Sequence, residues 1–157
     1  MKRLLPIIAL AICSLVSLNT NAQSSKQRQP LPLVKYNSNV NNPLSSSEMT
    51  MLREVYGDAL EKDILSKPQR LKDIKNILRN RVEIVEISNP SNQKKCTLLS
   101  EVPLFDVYVK TLKRDTFFNK STFNPLKYYF KFYSRGTHLY RVDNTNYFII
   151  IKSQHQR

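Results

Sequence analysis

The chain of 157 residues has no tryptophan, and only two glycines, two cysteines and two histidines. Two glycines cannot build a G-x-G-x-x-G or G-x-x-x-x-G-K-[ST] loop, where glycine backbone must approach phosphate at several points. Dinucleotide binding of that kind and P-loop chemistry are excluded. Cys13 and Cys96 lie far apart, so neither a disulfide-dense scaffold nor a Cys₄ zinc site can form. No H-E-x-x-H, D-x-D-x-D-G, C-x-x-C or G-x-S-x-G occurs, which leaves no metal, redox or serine-nucleophile motif. No cofactor is expected. Acidic residues are also scarce: 12 Asp and Glu stand against 25 Lys and Arg, a net charge of +13.

A long apolar run occurs only at the N-terminus. Lys2 and Arg3 precede Leu4 to Leu18, broken by Pro6, Ser14 and Ser17, and Thr20-Asn21-Ala22 offers a cut before Gln23. This is the layout of a secretory signal peptide, expected over residues 1–22. The run is shorter than the ~20 apolar residues of a membrane span, so no transmembrane segment is expected after cleavage. Bulky Ile12 before Cys13 argues against a lipoprotein. Cleavage would leave Cys96 alone. Lys94 and Lys95 beside it favour a reactive thiolate; the plainer reading is a small apolar residue opening a strand.

Residues 23–44 read as an extended or flexible tether, with Pro30, Pro32 and Pro43, many amides and no acid. Its apolar patch, Leu31, Leu33, Val34 and Tyr36, suggests an arm lying along the folded part. Residues 45–157 read as a single α+β domain, a length usual for one domain of roughly 100–200 residues. Three helix starts follow one another: the capping box Ser45-Ser46-Ser47-Glu48, Asp58-Ala59-Leu60-Glu61, and Ser66-Lys67-Pro68-Gln69 with proline in the first turn. Gly57 suits a left-handed stop. Leu71, Ile74, Ile77 and Leu78 form one apolar stripe. Strand patterns cover 82–87, 126–134, 138–142 and 147–153, with 97–104 an edge strand at best because of Pro103. A short helix is expected over 106–113 and a long loop over 114–125. The expected fold is N-terminal short helices packed on a C-terminal antiparallel β-meander of about four strands.

The charge is uneven. Residues 45–106 carry ten Lys/Arg and ten Asp/Glu, whereas 107–157 carry ten Lys/Arg and two Asp. This asymmetry points to an anionic partner. As a strand, Leu126 to Arg135 would bury Leu126, Tyr128, Phe130 and Phe132. It would present Lys127, Tyr129, Lys131, Tyr133 and Arg135 together on the other face. A two-residue turn at Asn144-Thr145 would set Arg141 opposite Phe148 and add it, with Lys152, to that stripe. Cations interleaved with rings suit an acidic protein, anionic lipid or acidic polysaccharide, and nucleic acid is not excluded. The same alternation also describes an ordinary wet sheet face. Lys72, Lys75 and Arg79 form a second basic face on the third helix, expected to be solvated. Lys110, Lys113, Arg114 and Lys120 make the loop basic.

Catalytic candidates are few. His138, Arg141 and Asp143 would be the set for a small phosphodiester hydrolase, although strand geometry points His138 and Arg141 to opposite faces. Glu83 and Glu86 are expected to mark strand registers or to pair with Arg79 and Arg81.

The segment ending Asn21-Ala22-Gln23 resembles signal peptides of exported Bacteroidota proteins. Phe123-Asn124-Pro125-Leu126-Lys127-Tyr128 and Tyr140-Arg141-Val142-Asp143-Asn144-Thr145 are similar to stretches of uncharacterised small exported proteins of that group. The resemblance implies a Gram-negative envelope, the periplasm first, with an extracellular or outer-membrane-associated place as the alternative. It implies no activity. The expected role is a non-enzymatic binding or accessory module holding an anionic or acidic partner. The alternatives are the hydrolase and a structural subunit with no anion-binding role.

Overall fold

The computed structural model describes residues 34, 36–88 and 96–155. The expected signal peptide, the tether as far as Leu33, and the polar turn at 89–95 lie outside the described residues. Every buried apolar residue among those described falls between Val40 and Ile151.

The helices start where the local chemistry asks. The Glu48 N–H donates to Ser45 Oγ at 3.2 Å and the Ser45 N–H donates to the Glu48 carboxylate at 2.8 Å, closing the capping box. Helix α1 (Ser46–Tyr56) follows and buries Leu52, Val55 and Tyr56. Gly57 ends it at φ 49°, and a β-carbon there would lie 3.1 Å from Val109 Cγ2. Gly57→Ala therefore meets both a strained backbone and a crowded neighbour. A loss of about 2 kcal/mol is expected, read as a lower urea midpoint at unchanged slope.

The second expected helix is a 3₁₀ turn (Gly57–Ala59) running into a π-helical turn (Glu61–Leu65), with Ile64 fully buried. Helix α2 (Pro68–Asn76) carries Pro68 in its first turn and continues as a π-helical turn, Ile77–Arg81, directly into the sheet. No helix among the described residues is long and apolar enough to cross a membrane.

The fold is α+β, with its helices on the N-terminal side of a mixed four-stranded sheet. Strands β1 (Val82–Glu86), β2 (Thr97–Leu98), β3 (His138–Arg141) and β4 (Tyr147–Ile151) lie in the order β1-β4-β3-β2. The β1–β4 and β3–β4 pairs are antiparallel, but β2 runs parallel to β3. The sheet is therefore mixed, not the expected all-antiparallel meander. The long connection from β2 returns the chain to the same end of the sheet, so β3 runs beside β2 in the same direction. The β3–β4 hairpin sets Arg141 opposite Phe148, as the Asn144-Thr145 turn requires, with Asn144 at φ 55°.

The segment 126–134 is not a sheet strand. After a 3₁₀ turn (Pro125–Lys127), it makes two ladder bonds to 103–105: the Phe105 N–H to the Lys127 carbonyl (2.7 Å) and the Tyr129 N–H to the Pro103 carbonyl (2.9 Å). Pro103 has no N–H with which to extend that pairing. The Phe130 and Phe132 N–H groups turn back instead to the carbonyls of Tyr128 and Phe130, at 2.8 and 2.7 Å. These tight i→i+2 bonds still alternate the side chains. Leu126, Tyr128, Phe130 and Phe132 are buried; Tyr129, Lys131, Tyr133 and Arg135 are exposed. The expected helix at 106–113 is an irregular stretch with one turn, the Leu112 N–H donating to the Val109 carbonyl at 3.1 Å.

The described end of the expected tether lies across α2 as a strap. The Tyr36 hydroxyl donates to Asp73 and accepts from Gln69. Burial and the Asp73 carboxylate push that phenol up to about 12. Lys72 Nζ stands 4.7 Å from the Tyr36 ring centre. Lys75 donates to the Asn42 carbonyl at 2.7 Å, and Asn39 and Asn80 exchange amide hydrogen bonds at 2.8 and 3.0 Å. Arg79 donates to the carbonyls of Asn39, Asn42 and Pro43 and to Glu48. Lys72, Lys75 and Arg79 are thus not a solvated face. Strap carbonyls outside any ladder need donors, and this helix face supplies them. Glu83 pairs with Lys152 (2.8 Å) rather than with an arginine.

Candidate functional site

Lys127 departs furthest from its expected place. It is 3% exposed, and its Nζ lies 2.9 Å from Glu54 and 2.6 Å from Asp115. The 3₁₀ turn, rather than an extended strand, points it at α1. There Asn124, 2% exposed, also donates to the Met51 carbonyl and to Glu54 at 2.9 Å. Both its charge and its location are spent on internal structure. Arg141 departs too: its Nε and Nη2 donate to the Thr145 carbonyl at 3.1 Å, closing the hairpin over the Phe148 ring. Lys131 and Arg135 are exposed. Tyr129 and Tyr133 are exposed by 49% and 67%. The six expected residues therefore do not form one stripe.

Two of them instead form the rim of a cleft. A hollow of about 290 Å³ opens between α2 and the 126–133 segment, lined among others by Tyr56, Arg70, Ile74, Ile77, Phe105, Tyr129, Phe132 and Tyr133. Its size is at the lower bound for small-ligand pockets. One wall is a continuous aromatic set. Tyr129 meets Phe105 edge-on at 5.0 Å, and Phe105 and Tyr56 lie 5.9 and 5.1 Å from Tyr108. Arg70 is the cation lining this cleft. Its Nη2 donates to the Tyr108 hydroxyl at 3.1 Å, and its Cζ lies 5.9 Å from the Tyr56 ring centre. A guanidinium carries five N–H groups; Tyr108 takes one of them at 3.1 Å, and the Tyr56 hydroxyl is the other group among the described residues close enough to accept from Arg70. Burial pushes the Tyr56 phenol up to about 12, so that ring stays neutral beside the arginine.

Arg81 lies outside the lining and holds one lining residue, Phe132, by its carbonyl. It is 6% exposed, and it donates to the Phe132 carbonyl and, at 3.2 Å, to the Lys152 carbonyl. Burial pulls it below the usual arginine range, yet arginine remains charged. Two free carbonyls from distant segments are what it satisfies. Neither Arg70 nor Phe105 stands out in the sequence. Arg70 lies in the charge-balanced half, and its partner Tyr108 comes from a segment whose expected helix does not form.

The hydrolase set does not meet. His138 Nε2 lies 2.6 Å from Ser134 Oγ and its residue stands opposite Ile151. Arg141 is bound to Thr145. Asp143 accepts from the Ser100 hydroxyl (2.5 Å) and N–H (2.9 Å). Partial burial works against ionisation of Asp143, but the Ser100 hydrogen bonds outweigh it and hold the carboxyl below the usual range. A larger hollow of about 590 Å³ lies beside Asp143 and Arg114. Its charged groups already have protein partners: Arg114 donates to the Leu99 and Val102 carbonyls, and Asp115 binds Lys127. Among the described residues no group of three His, Cys, Asp or Glu side chains is placed to hold a metal ion. No protein-family model, curated protein or solved structure matches the chain.

Proposed function

We propose that this protein is an exported, non-enzymatic binding module of the bacterial envelope that holds an acidic protein segment in the aromatic cleft. Residues 1–22 act as its signal peptide and the periplasm is where it works. The observation that carries the reading is Arg70 lining an apolar cleft whose exposed rim is Tyr129 and Tyr133. An apolar side chain of the partner enters against Ile74, Ile77 and Phe132, and a neighbouring carboxylate reaches the Arg70 donors left over from Tyr108. An acidic polysaccharide fits less well, because its hydroxyls find no partner on that floor. Nucleic acid would need several cations along a backbone path, and the cleft has one.

The chain from Gln23 keeps the whole described core. Titrated calorimetrically with short acidic peptides carrying one Phe or Leu, it is expected to bind in a salt-sensitive manner. Arg70→Met should weaken binding roughly tenfold, the size of a lost charge-assisted hydrogen bond. Tyr133→Ala should weaken it less. Equal binding of a neutral peptide, or no loss in Arg70→Met, would sink the proposal.

A further inference from the structure

The loop between β2 and the Pro125–Lys127 turn carries an exposed ring set among cations. Phe117 is 84% exposed, the most exposed large apolar side chain among the described residues. Lys110 and Lys113 precede it and Lys120 follows it; all three are exposed, and none forms an ion pair among the described residues. Two of the loop's three acids are already engaged: Asp115 is bound to Lys127 at 2.6 Å and Glu101 accepts from the Leu98 N–H at 2.9 Å, which leaves Asp106.

Anchored neighbours hold the loop in place on both sides of Phe117. Arg114 donates to the Leu99 and Val102 carbonyls. Phe118 turns inward against Phe123 and Tyr147, with ring centres 5.3 and 5.4 Å away. Beyond it the Phe123 N–H donates to the Asn119 carbonyl at 2.9 Å. Of two consecutive phenylalanines, Phe118 is half-buried against the core and Phe117 is presented to solvent. A hydrated phenyl ring gains nothing for the fold. An outward ring flanked by unpaired lysines has the composition of an interfacial anchor: the ring enters the headgroup layer and the cations face lipid phosphate.

We propose that this loop docks the protein on an anionic phospholipid surface, with Phe117 inserted and Lys110, Lys113 and Lys120 against the headgroups. The contact would be weak and reversible, since one ring and three cations fall far short of a membrane span. It is independent of the cleft.

The absence of tryptophan makes the test direct. Phe117→Trp and, as a control, Tyr133→Trp each give the chain from Gln23 a single indole. With vesicles of phosphatidylglycerol and phosphatidylcholine at low salt, Phe117→Trp emission is expected to shift to the blue, and to return as salt is added. It should not shift with phosphatidylcholine alone, and Tyr133→Trp should not shift with either. Each Lys→Gln change at 110, 113 or 120 in the Phe117→Trp background should lower partitioning about fivefold. Adding Arg70→Met should leave the shift unchanged, which separates this surface from the cleft. No shift for Phe117→Trp, or an equal shift for Tyr133→Trp, would overturn the proposal.

Discussion

Replacing Arg79 by Met should destabilise the protein by about 3 kcal/mol, the scale for breaking one side of a buried ion pair. The Arg79 and Glu48 side chains are 15% and 13% exposed, so removal of the arginine leaves a largely buried carboxylate. The guanidinium also binds three strap carbonyls, so the same change loosens residues 36–44 from α2. Thermal unfolding followed by circular dichroism should show a midpoint lower by roughly 10 °C. Arg79→Lys should recover little of it, because a single ammonium cannot reproduce the fork that meets both Glu48 oxygens and the carbonyls.

The same pair predicts a pH dependence. The Arg79 hydrogen bonds hold Glu48 at about 2, below its ordinary 4.5. A lowered carboxyl contributes stability that is complete above the unfolded value, and loses it as pH falls toward the folded one. The wild-type urea midpoint should therefore decline between about pH 5 and pH 2, and Arg79→Met should flatten that decline. An unaltered acid slope in the variant would show that Glu48 does not draw its acidity from Arg79.

Lys127→Ala should cost about 2–3 kcal/mol, part of it from the lost buried stem and part from two carboxylates left facing each other. Glu54 and Asp115 are 42% and 39% exposed, so water recovers some of their solvation and the cost stays below that of Arg79. Lys127→Met keeps the stem and should cost about 1 kcal/mol. Neither change should alter affinity for an acidic peptide once the folded fraction is corrected for. A change in salt-sensitive binding with unchanged stability would reverse the placement of Lys127 as structural.

These two residues show where reading from sequence stops. In Lys72, Lys75 and Arg79, the helical spacing correctly puts three cations on one face, but nothing local says that a strap covers it. Lys127 belongs to an alternating run whose period survives from Tyr128 to Arg135. Alternation is shared by sheet strands and by the tighter turns adopted here, so it gives the sides without giving the partner.

What the sequence determined is what neighbouring residues decide among themselves. The Ser45–Glu48 box starts α1, Pro68 opens α2, and Asn144-Thr145 sets the register that places Arg141 opposite Phe148. The buried and exposed sides of 128–135 follow from period two. Each is a contact within a few residues, so the chain carries its own signal for it. Only the tertiary structure decided that β2 lies parallel to β3, that Arg81 reaches the Phe132 carbonyl, and that Arg70 meets Tyr108 to form the cleft. Those contacts join distant segments and satisfy whichever carbonyl or charge packing leaves open. No spacing in the sequence encodes which one that will be.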